Sequence, residues 1–256
     1  MRWTRLLAAY TRRSALEWLG YRSFLTTLIF NNSIAPVLGL ALWTAALPGE
    51  TDISAYFLAL FVVQWATASQ EYYSVTMAIY EGDLNDDLLR PHAPIVRAIA
   101  EGLAYRFWNL AVGVPILALV VAIAGDQGLT GGNLLRALPA LAIAVAVHFA
   151  YTYSLCLSAL WFQQAGAITD IGTTLTVLFG GIAVPLMLLP ESVRRIATAL
   201  PFRAMAGFPA EIASGQLTNA EVVAGYAWQG GWLLAFGAIA VWLWRTGIRH
   251  YAAIGG

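Results

Sequence analysis

Residues 134–161 read LLRALPALAIAVAVHFAYTYSLCLSALW, with Arg136 as the one charged residue in the stretch. A helix needs about 20 mostly apolar residues to cross the hydrocarbon core, where only a hydrogen-bonded helix or a closed barrel satisfies the backbone. Five further stretches have the same character, and none shows the alternating pattern of a barrel strand. They are residues 24–47, 54–79, 107–124, 168–189 and 222–244. The sequence therefore predicts an all-α integral membrane protein with six transmembrane helices.

The composition agrees with a membrane protein and excludes several kinds of chemistry. Hydrophobic residues make up 59% of the chain and charged residues 11%, against about 25% charged residues in an average soluble domain. The chain has no lysine, so it cannot form the G-x-x-x-x-G-K-[ST] loop that binds ATP phosphates. Any ATP must therefore bind to another polypeptide. No basic patch with interleaved aromatic residues is present, so we expect no nucleic-acid partner.

The few cysteine and histidine residues give no cofactor or metal site. Cys156 is the one cysteine, which excludes an internal disulfide and a cysteine-based metal cluster. The three histidines lack a ligand spacing such as H-E-x-x-H. No G-x-S-x-G motif accompanies His148 and Ser154, so an intramembrane serine protease is not supported. We expect no catalytic group, no metal and no cofactor on this chain.

The arginines predict the orientation, because positive residues in short loops are retained on the cytoplasmic side. An even number of spans places both termini together. With the termini inside, the cytoplasmic arginines are Arg2, Arg5, Arg12, Arg13, Arg22, Arg90, Arg97, Arg106, Arg245 and Arg249. The outer ones are Arg136, Arg194, Arg195 and Arg203. Because the first residues hold arginines throughout, we expect no cleaved signal peptide.

Residues 3–21 mix arginines with Trp3, Leu6, Tyr10 and Trp18. This composition is typical of an amphipathic helix that lies in the membrane interface, where its partners are lipids. The alternative is an irregular cytoplasmic tail.

The largest predicted cytoplasmic loop covers residues 80–106 and opens with YEGDLNDDLLRPH. Gly82 and Pro91 bracket a short helical segment. The side chain of Asp83 is expected to cap its first turn, and Pro91 disfavours helix at Arg90. We therefore predict a short helix between these two residues.

This short helix is a candidate docking surface, because an apolar patch with a charged rim suits a protein interface. The predicted patch consists of Leu84, Leu88 and Leu89, and the predicted rim of Asp86, Asp87 and Arg90. The alternative is a capped turn that packs on the bundle.

The largest predicted outer segment, residues 190–218, is too apolar for a solvated loop, and prolines interrupt it too often for a span. We predict one or two short helices that lie on the outer leaflet or dip into it. Its candidate gate residues are Pro201, Phe202, Phe208, Pro209 and Glu211. A simple outer cap is the alternative.

Polar side chains inside the predicted spans are candidates for a translocation pathway, because a charge at mid-bilayer costs roughly 2.5–3.5 kcal/mol. Gln64 and Glu71 are seven residues apart, so they share one face of a regular helix, which we expect to point inward. His148 and Tyr151 begin a polar stripe in the fourth predicted span. The candidate pathway residues are Asn31, Gln64, Glu71, His148 and Tyr151. The alternative is that these groups form hydrogen bonds between helices.

Two motifs in the correct order carry a resemblance to a known family. The segment from Gly82 to Pro91 fits G-x-L-x-x-x-L-L-x-P, and residues 200–215 fit L-P-F-x...F-P-x-x-I-x-x-G. Over almost its entire length, the chain resembles the type-2 membrane permeases of ATP-binding-cassette (ABC) transporters, particularly a six-span bacterial branch.

The resemblance implies one permease domain over residues 1–256, in the inner membrane of a bacterium, with both termini cytoplasmic. Two permeases, either identical copies or homologues, pair around a central pathway. An ABC-type ATPase subunit binds ATP and Mg²⁺ and drives export, so the permease itself is not an enzyme. The residues that match the ATPase-coupling helix are Gly82, Asp83, Leu84, Asp86, Asp87, Leu88, Leu89, Arg90 and Pro91.

A second function from another class remains open. A self-sufficient secondary transporter or channel needs an ion-coupling carboxylate, for which Glu71 is the candidate. The two halves of the chain show no inverted repeat, which disfavours this alternative.

Overall fold

The computed structural model describes residues 2–20, 23–47, 51–124 and 128–251, and most of these are helical, with no strand among them. The helices are α1 (Arg2–Leu19), α2 (Phe24–Ala46), α3 (Thr51–Thr67), α4 (Ala78–Glu81), α5 (Leu84–Leu88), α6 (Ile95–Ala124), α7 (Gly131–Cys156), α8 (Ala165–Phe179), α9 (Glu191–Ala199), α10 (Pro201–Met205), α11 (Gly207–Ala213) and α12 (Asn219–Gly247). A π-helix covers Tyr72–Met77, and 3₁₀ turns cover Leu157–Leu160 and Leu186–Leu188. The all-α fold predicted from the sequence is confirmed.

Four helical stretches of the described chain are long and apolar enough to cross a membrane. They are Asp52–Glu81, Ile95–Leu119, Gly131–Leu160 and Asn219–Gly247. Shorter apolar helices cover Val37–Ala46 and Ala165–Phe179. The protein is thus a multi-pass membrane protein, and the number of six spans stays a prediction.

The second predicted span, residues 54–79, is not one regular helix. Helix α3 ends at Thr67, and residues 68–70 are not helical. The carboxylate of Glu71 accepts hydrogen bonds from the Ser69 hydroxyl and from the backbone N–H of Gln70, at 3.0 Å for the latter. Such local side-chain bonds compete with helical backbone bonds. The expectation that Gln64 and Glu71 share one regular helix face is therefore wrong.

In the fifth predicted span, residues 168–189, α8 ends at Phe179, and a short 3₁₀ turn follows only at Leu186–Leu188. Between the two, the chain turns at Gly181, whose φ of 83° favours glycine. The carbonyl oxygen of Gly181 accepts a hydrogen bond of 2.9 Å from the hydroxyl of Tyr56 in α3. This contact fixes the non-helical segment against the bundle.

The third predicted span begins earlier than expected, since α6 starts at Ile95 rather than at residue 107. The C-terminal part of the predicted loop, residues 95–106, is therefore the start of a long helix. Helix α1, which covers most of the predicted interfacial segment, packs along α6. The indole N–H of Trp108 donates a hydrogen bond of 3.0 Å to the carbonyl of Ala15.

The core lies around α3, which packs against α2, α6, α7 and α11. Tyr56, Phe57 and Leu60 of α3 form a buried cluster with Phe208 and Ile212 of α11. The outer segment contains three short helices, α9 to α11, rather than the one or two predicted. Its last helix, α11, is buried along its whole length and is part of the packed interior, whereas most residues of α9 are exposed.

Candidate functional site

Helix α5 lies between α4 and α6, where the sequence predicts a short helix. Gly82 ends α4 with a φ of 89°, a left-handed conformation that glycine adopts readily. The helix ends before Pro91, as predicted. The predicted cap is wrong, because Asp83 stands at the N-cap position with helical backbone angles and its side chain makes no capping hydrogen bond.

The residues of α5 divide into an inward and an outward face. Leu84 and Asp87, three residues apart and thus on one side of the helix, are 4% and 2% exposed. Leu84 belongs to a buried cluster with Val75 and Ile79. The predicted single patch is therefore wrong, since Leu84 is part of the core and Asp87 is not part of an exposed rim.

The outward face of α5 consists of Asp83, Asp86, Leu88 and Leu89, which are all exposed. Leu88 is 43% and Leu89 85% exposed. Tyr251, the last described residue, packs against the buried cluster that contains Leu84. Burial first, and then the charge of the Asp83 carboxylate, raise the pKa of the Tyr251 hydroxyl above its usual range.

The carboxylate of Asp87 is held by two arginines. Its Oδ2 lies 2.8 Å from Nε of Arg97 in α6, and its Oδ1 lies 3.2 Å from Nη1 of Arg90. Arg90, predicted as part of an exposed rim, therefore points back toward Asp87. These two ion pairs, together with the buried contacts of Leu84, hold α5 on the bundle.

The group formed by Asp87, Arg90 and Arg97 also contacts α1. Nη1 of Arg90 donates to the Tyr10 hydroxyl at 3.3 Å, and this hydroxyl lies 2.9 Å from Nε2 of His92. The rings of Tyr10 and His92 meet edge to face with centroids 5.3 Å apart. The segment that follows α5 is thus attached to the amphipathic helix α1.

Among the candidate pathway residues, Glu71 has a charged partner. Its Oε1 lies 3.0 Å from Nη2 of Arg106 in α6, and the two side chains are 0% and 7% exposed. Arg106, counted as a loop arginine in the orientation rule, is in fact inside the bundle. This geometry agrees with the alternative of a contact between helices, and a role of Glu71 in ion coupling stays a prediction.

The described side chains of the other candidate pathway residues make no hydrogen bond to Glu71. Nε2 of Gln64 and Nδ1 of His148 are buried without a hydrogen-bond partner. The ring of Tyr151 packs against Phe202 and Phe236. Asn31 lies in α2, and its side chain is outside the described part of the structure. A pathway role for these residues remains untested.

The candidate gate residues of the outer segment are all buried. The guanidinium of Arg203 donates two hydrogen bonds to Oε2 of Glu211, at 3.0 Å from Nε and 2.6 Å from Nη2. The guanidinium carbon of Arg203 also lies 5.4 Å from the centre of the Phe208 ring. All five candidate gate residues are therefore part of the buried parts of α10 and α11.

Sequence reasoning missed three polar residues that join helices. Arg97 contacts α5, Arg106 pairs with Glu71, and Nε2 of Gln229 donates to the carbonyls of Ala140 and Ala204 at 3.0 and 2.8 Å. One signal was available for Arg106, because a carboxylate in an apolar span requires a nearby positive charge.

The fold and this site define a class: an all-α, multi-pass membrane protein with a short, half-exposed helix between two long helical stretches. Residues 16–255 match the model of the ABC-2 family transporter proteins. The chain belongs to this family, and it is a membrane permease of an ABC transporter. None of the curated proteins matches the chain.

Proposed function

We propose that this chain is the membrane-spanning subunit of an ATP-driven ABC exporter and that a separate ATPase subunit docks on the outward face of α5. The observation that carries the proposal is the contrast between the two faces of this helix. Leu84 and Asp87 hold it on the bundle, while Leu89, at 85% exposure, points away from it.

A fixed helix with exposed leucines is suited to binding. Because the inward contacts already hold α5 in place, docking costs little conformational entropy. A single exposed leucine is common on protein surfaces, but here the exposed leucine lies on a helix that is held on the bundle in a member of a transporter family. In this family, association with ABC-type ATPase subunits is the general expectation.

The proposal assigns ATP binding to the docked ATPase and conformational change to the permease. ATP and Mg²⁺ bind to the ATPase, and the permease has no P-loop lysine of its own. ATP binding biases the equilibrium between two conformations, so the permease needs no catalytic group. The proposal includes a pair of permeases around the pathway and both termini on the cytoplasmic side of a bacterial inner membrane.

The test is substitution of the most exposed leucine. Leu89→Asp places a charge where the proposal has an apolar contact, and we expect the amount of ATPase that co-purifies with the permease to fall about 10-fold or more, since burying one leucine contributes about 1.5–3 kcal/mol. Ala93→Asp is the matched control, because it adds the same charge at an exposed position outside α5.

Two results decide the proposal. Normal co-purification with the control and loss with Leu89→Asp support docking on α5. Unchanged co-purification and ATP turnover with Leu89→Asp contradict it. Both variants must show the same elution profile as the unsubstituted chain in mild detergent, which verifies that they are folded.

A further inference from the structure

Arg97 connects three parts of the molecule that are separate in sequence. Its Nε lies 2.8 Å from Oδ2 of Asp87 in α5. Its Nη2 donates to the backbone carbonyl of Ser74 at 3.0 Å, inside the π-helix. Because Arg97 itself is near the start of α6, one guanidinium joins α5, α6 and the π-helix that precedes α4.

The partner of Arg97 in α5 is sequestered. The side chain of Asp87 is 3% exposed and that of Arg97 is 21% exposed. A second carboxylate, that of Glu101, lies farther from Nε of Arg97, at 3.9 Å. The close contact with Asp87 is therefore the main side-chain bond of Arg97 to a carboxylate.

Without this bond, α5 is connected to α6 along the chain by residues 89–94, which are not helical. A non-helical segment transmits displacement poorly, because it can change its backbone angles while its two ends move independently. The ion pair with Asp87 holds α5 at a short distance from α6, and the hydrogen bond to Ser74 orients the same guanidinium. The second arginine on Asp87, Arg90, extends the link to α1 through the Tyr10 hydroxyl.

We propose that Asp87 is a positioning residue that makes α5 and α6 move together, so that a displacement of α5 by the bound ATPase reaches α6 and, through Arg90 and Tyr10, α1. This inference rests on the proposed docking at α5. It assigns Asp87 to transmission inside the permease, and it leaves docking to the exposed leucines.

The experiment separates docking from transmission. Phe107 in α6 and Trp242 in α12 are 58% and 62% exposed, so cysteines at these positions accept spin labels, while Cys156 is 0% exposed. The distance between the labels is measured in the permease–ATPase complex, with and without a non-hydrolysable ATP analogue. We expect a nucleotide-dependent shift of about 2–5 Å in the unsubstituted complex.

The expected result for Asp87→Asn is normal co-purification of the ATPase with loss of the nucleotide-dependent shift. Arg97→Gln removes the other partner and must give the same result, so it decides the outcome if Asp87→Asn is not recovered folded. Asp87→Glu keeps the charge and is expected to retain part of the shift. Glu101→Gln is the matched control, since it removes a more distant carboxylate near the same arginine, and it should keep the full shift.

Two results overturn the inference. One is a full shift in both Asp87→Asn and Arg97→Gln. The other is loss of ATPase binding in Asp87→Asn to the extent seen in Leu89→Asp, which makes Asp87 part of the docking surface. If Leu89→Asp keeps the ATPase bound, the proposed docking itself fails, whatever Asp87→Asn does.

Discussion

Glu71 and Arg106 form the least exposed of the described ion pairs, with side chains 0% and 7% exposed. Removing two charges from water is costly, and their mutual attraction compensates only when both partners remain. Glu71 has further partners in the Ser69 hydroxyl and the Gln70 backbone N–H. The pair therefore stabilises the break between α3 and the π-helix.

Removal of one partner of the Glu71–Arg106 pair should leave a buried charge unpaired, which removal of both partners avoids. We expect Glu71→Gln or Arg106→Gln alone to lower the free energy of unfolding by about 3–5 kcal/mol, because each leaves one buried charge unpaired. The double substitution should cost less than the sum of the single ones. The measurement is a double-mutant cycle of unfolding in detergent.

Asp52→Asn provides a comparison, since this carboxylate is exposed near the start of α3, and it should change stability by less than about 0.5 kcal/mol. Additive effects of the two single substitutions, within about 0.5 kcal/mol, would show that Glu71 and Arg106 are not energetically coupled.

At the scale of single residues, the sequence showed which residues are unusual, but it did not predict where their side chains point. It located Glu71 as an unusual carboxylate in an apolar span, but its partner Arg106 is 35 residues away in the chain. It located Asp87 in the correct short helix, but placed it on the surface. The direction of a side chain in a helix of five residues depends on how the helix sits on its neighbours, which local pattern does not specify.

Helices α11 and α12 approach each other closely at one position. A Cβ on Gly225 would overlap the ring of Phe208, which is 1% exposed inside the main buried cluster. Small residues at such positions let membrane helices pack closely. Gly237 lies in the same helix, and a Cβ there would have no heavy atom within 4 Å.

These two glycines make a matched pair. We expect Gly225→Ala to lower the free energy of unfolding by about 1–3 kcal/mol, because the Phe208 ring must move inside a packed core. Gly237→Ala should be neutral or stabilising by up to about 1 kcal/mol, since alanine favours helix. Thermal unfolding in detergent measures both. Equal effects at the two positions would contradict the close packing of α11 on α12.

At the scale of elements, apolar runs predicted where most long helices lie, and glycine and proline predicted where α5 begins and ends. The break at residues 68–70 was missed, because it depends on hydrogen bonds of Glu71 rather than on a glycine or proline. The early end of α8 was also missed, although two glycines and Pro185 follow Phe179. Because residues 180–189 are mostly apolar, hydropathy alone did not indicate the turn.

The whole molecule has a buried centre and an apolar periphery. In the most apolar stretch of Asp52–Glu81, 78% of the residues are buried inside the protein, against 11% in that of α12. Val223, Leu234 and Trp242 of α12 are 69%, 77% and 62% exposed. Both helices are similarly apolar, so hydropathy alone did not distinguish the central helix from the peripheral one. In a membrane protein, such an exposed apolar face contacts lipid or another spanning helix.

We expect an ATPase subunit to bind the outward face of α5 from the cytoplasmic side. A photo-reactive benzoylphenylalanine at Leu89, in living cells, tests it directly. We predict an ultraviolet-dependent cross-link to a cytoplasmic ATP-binding protein, and no such product with the same group at Val223, which is exposed near the opposite end of the bundle. Capture of that protein at Val223 instead, or of none at Leu89, would contradict the account.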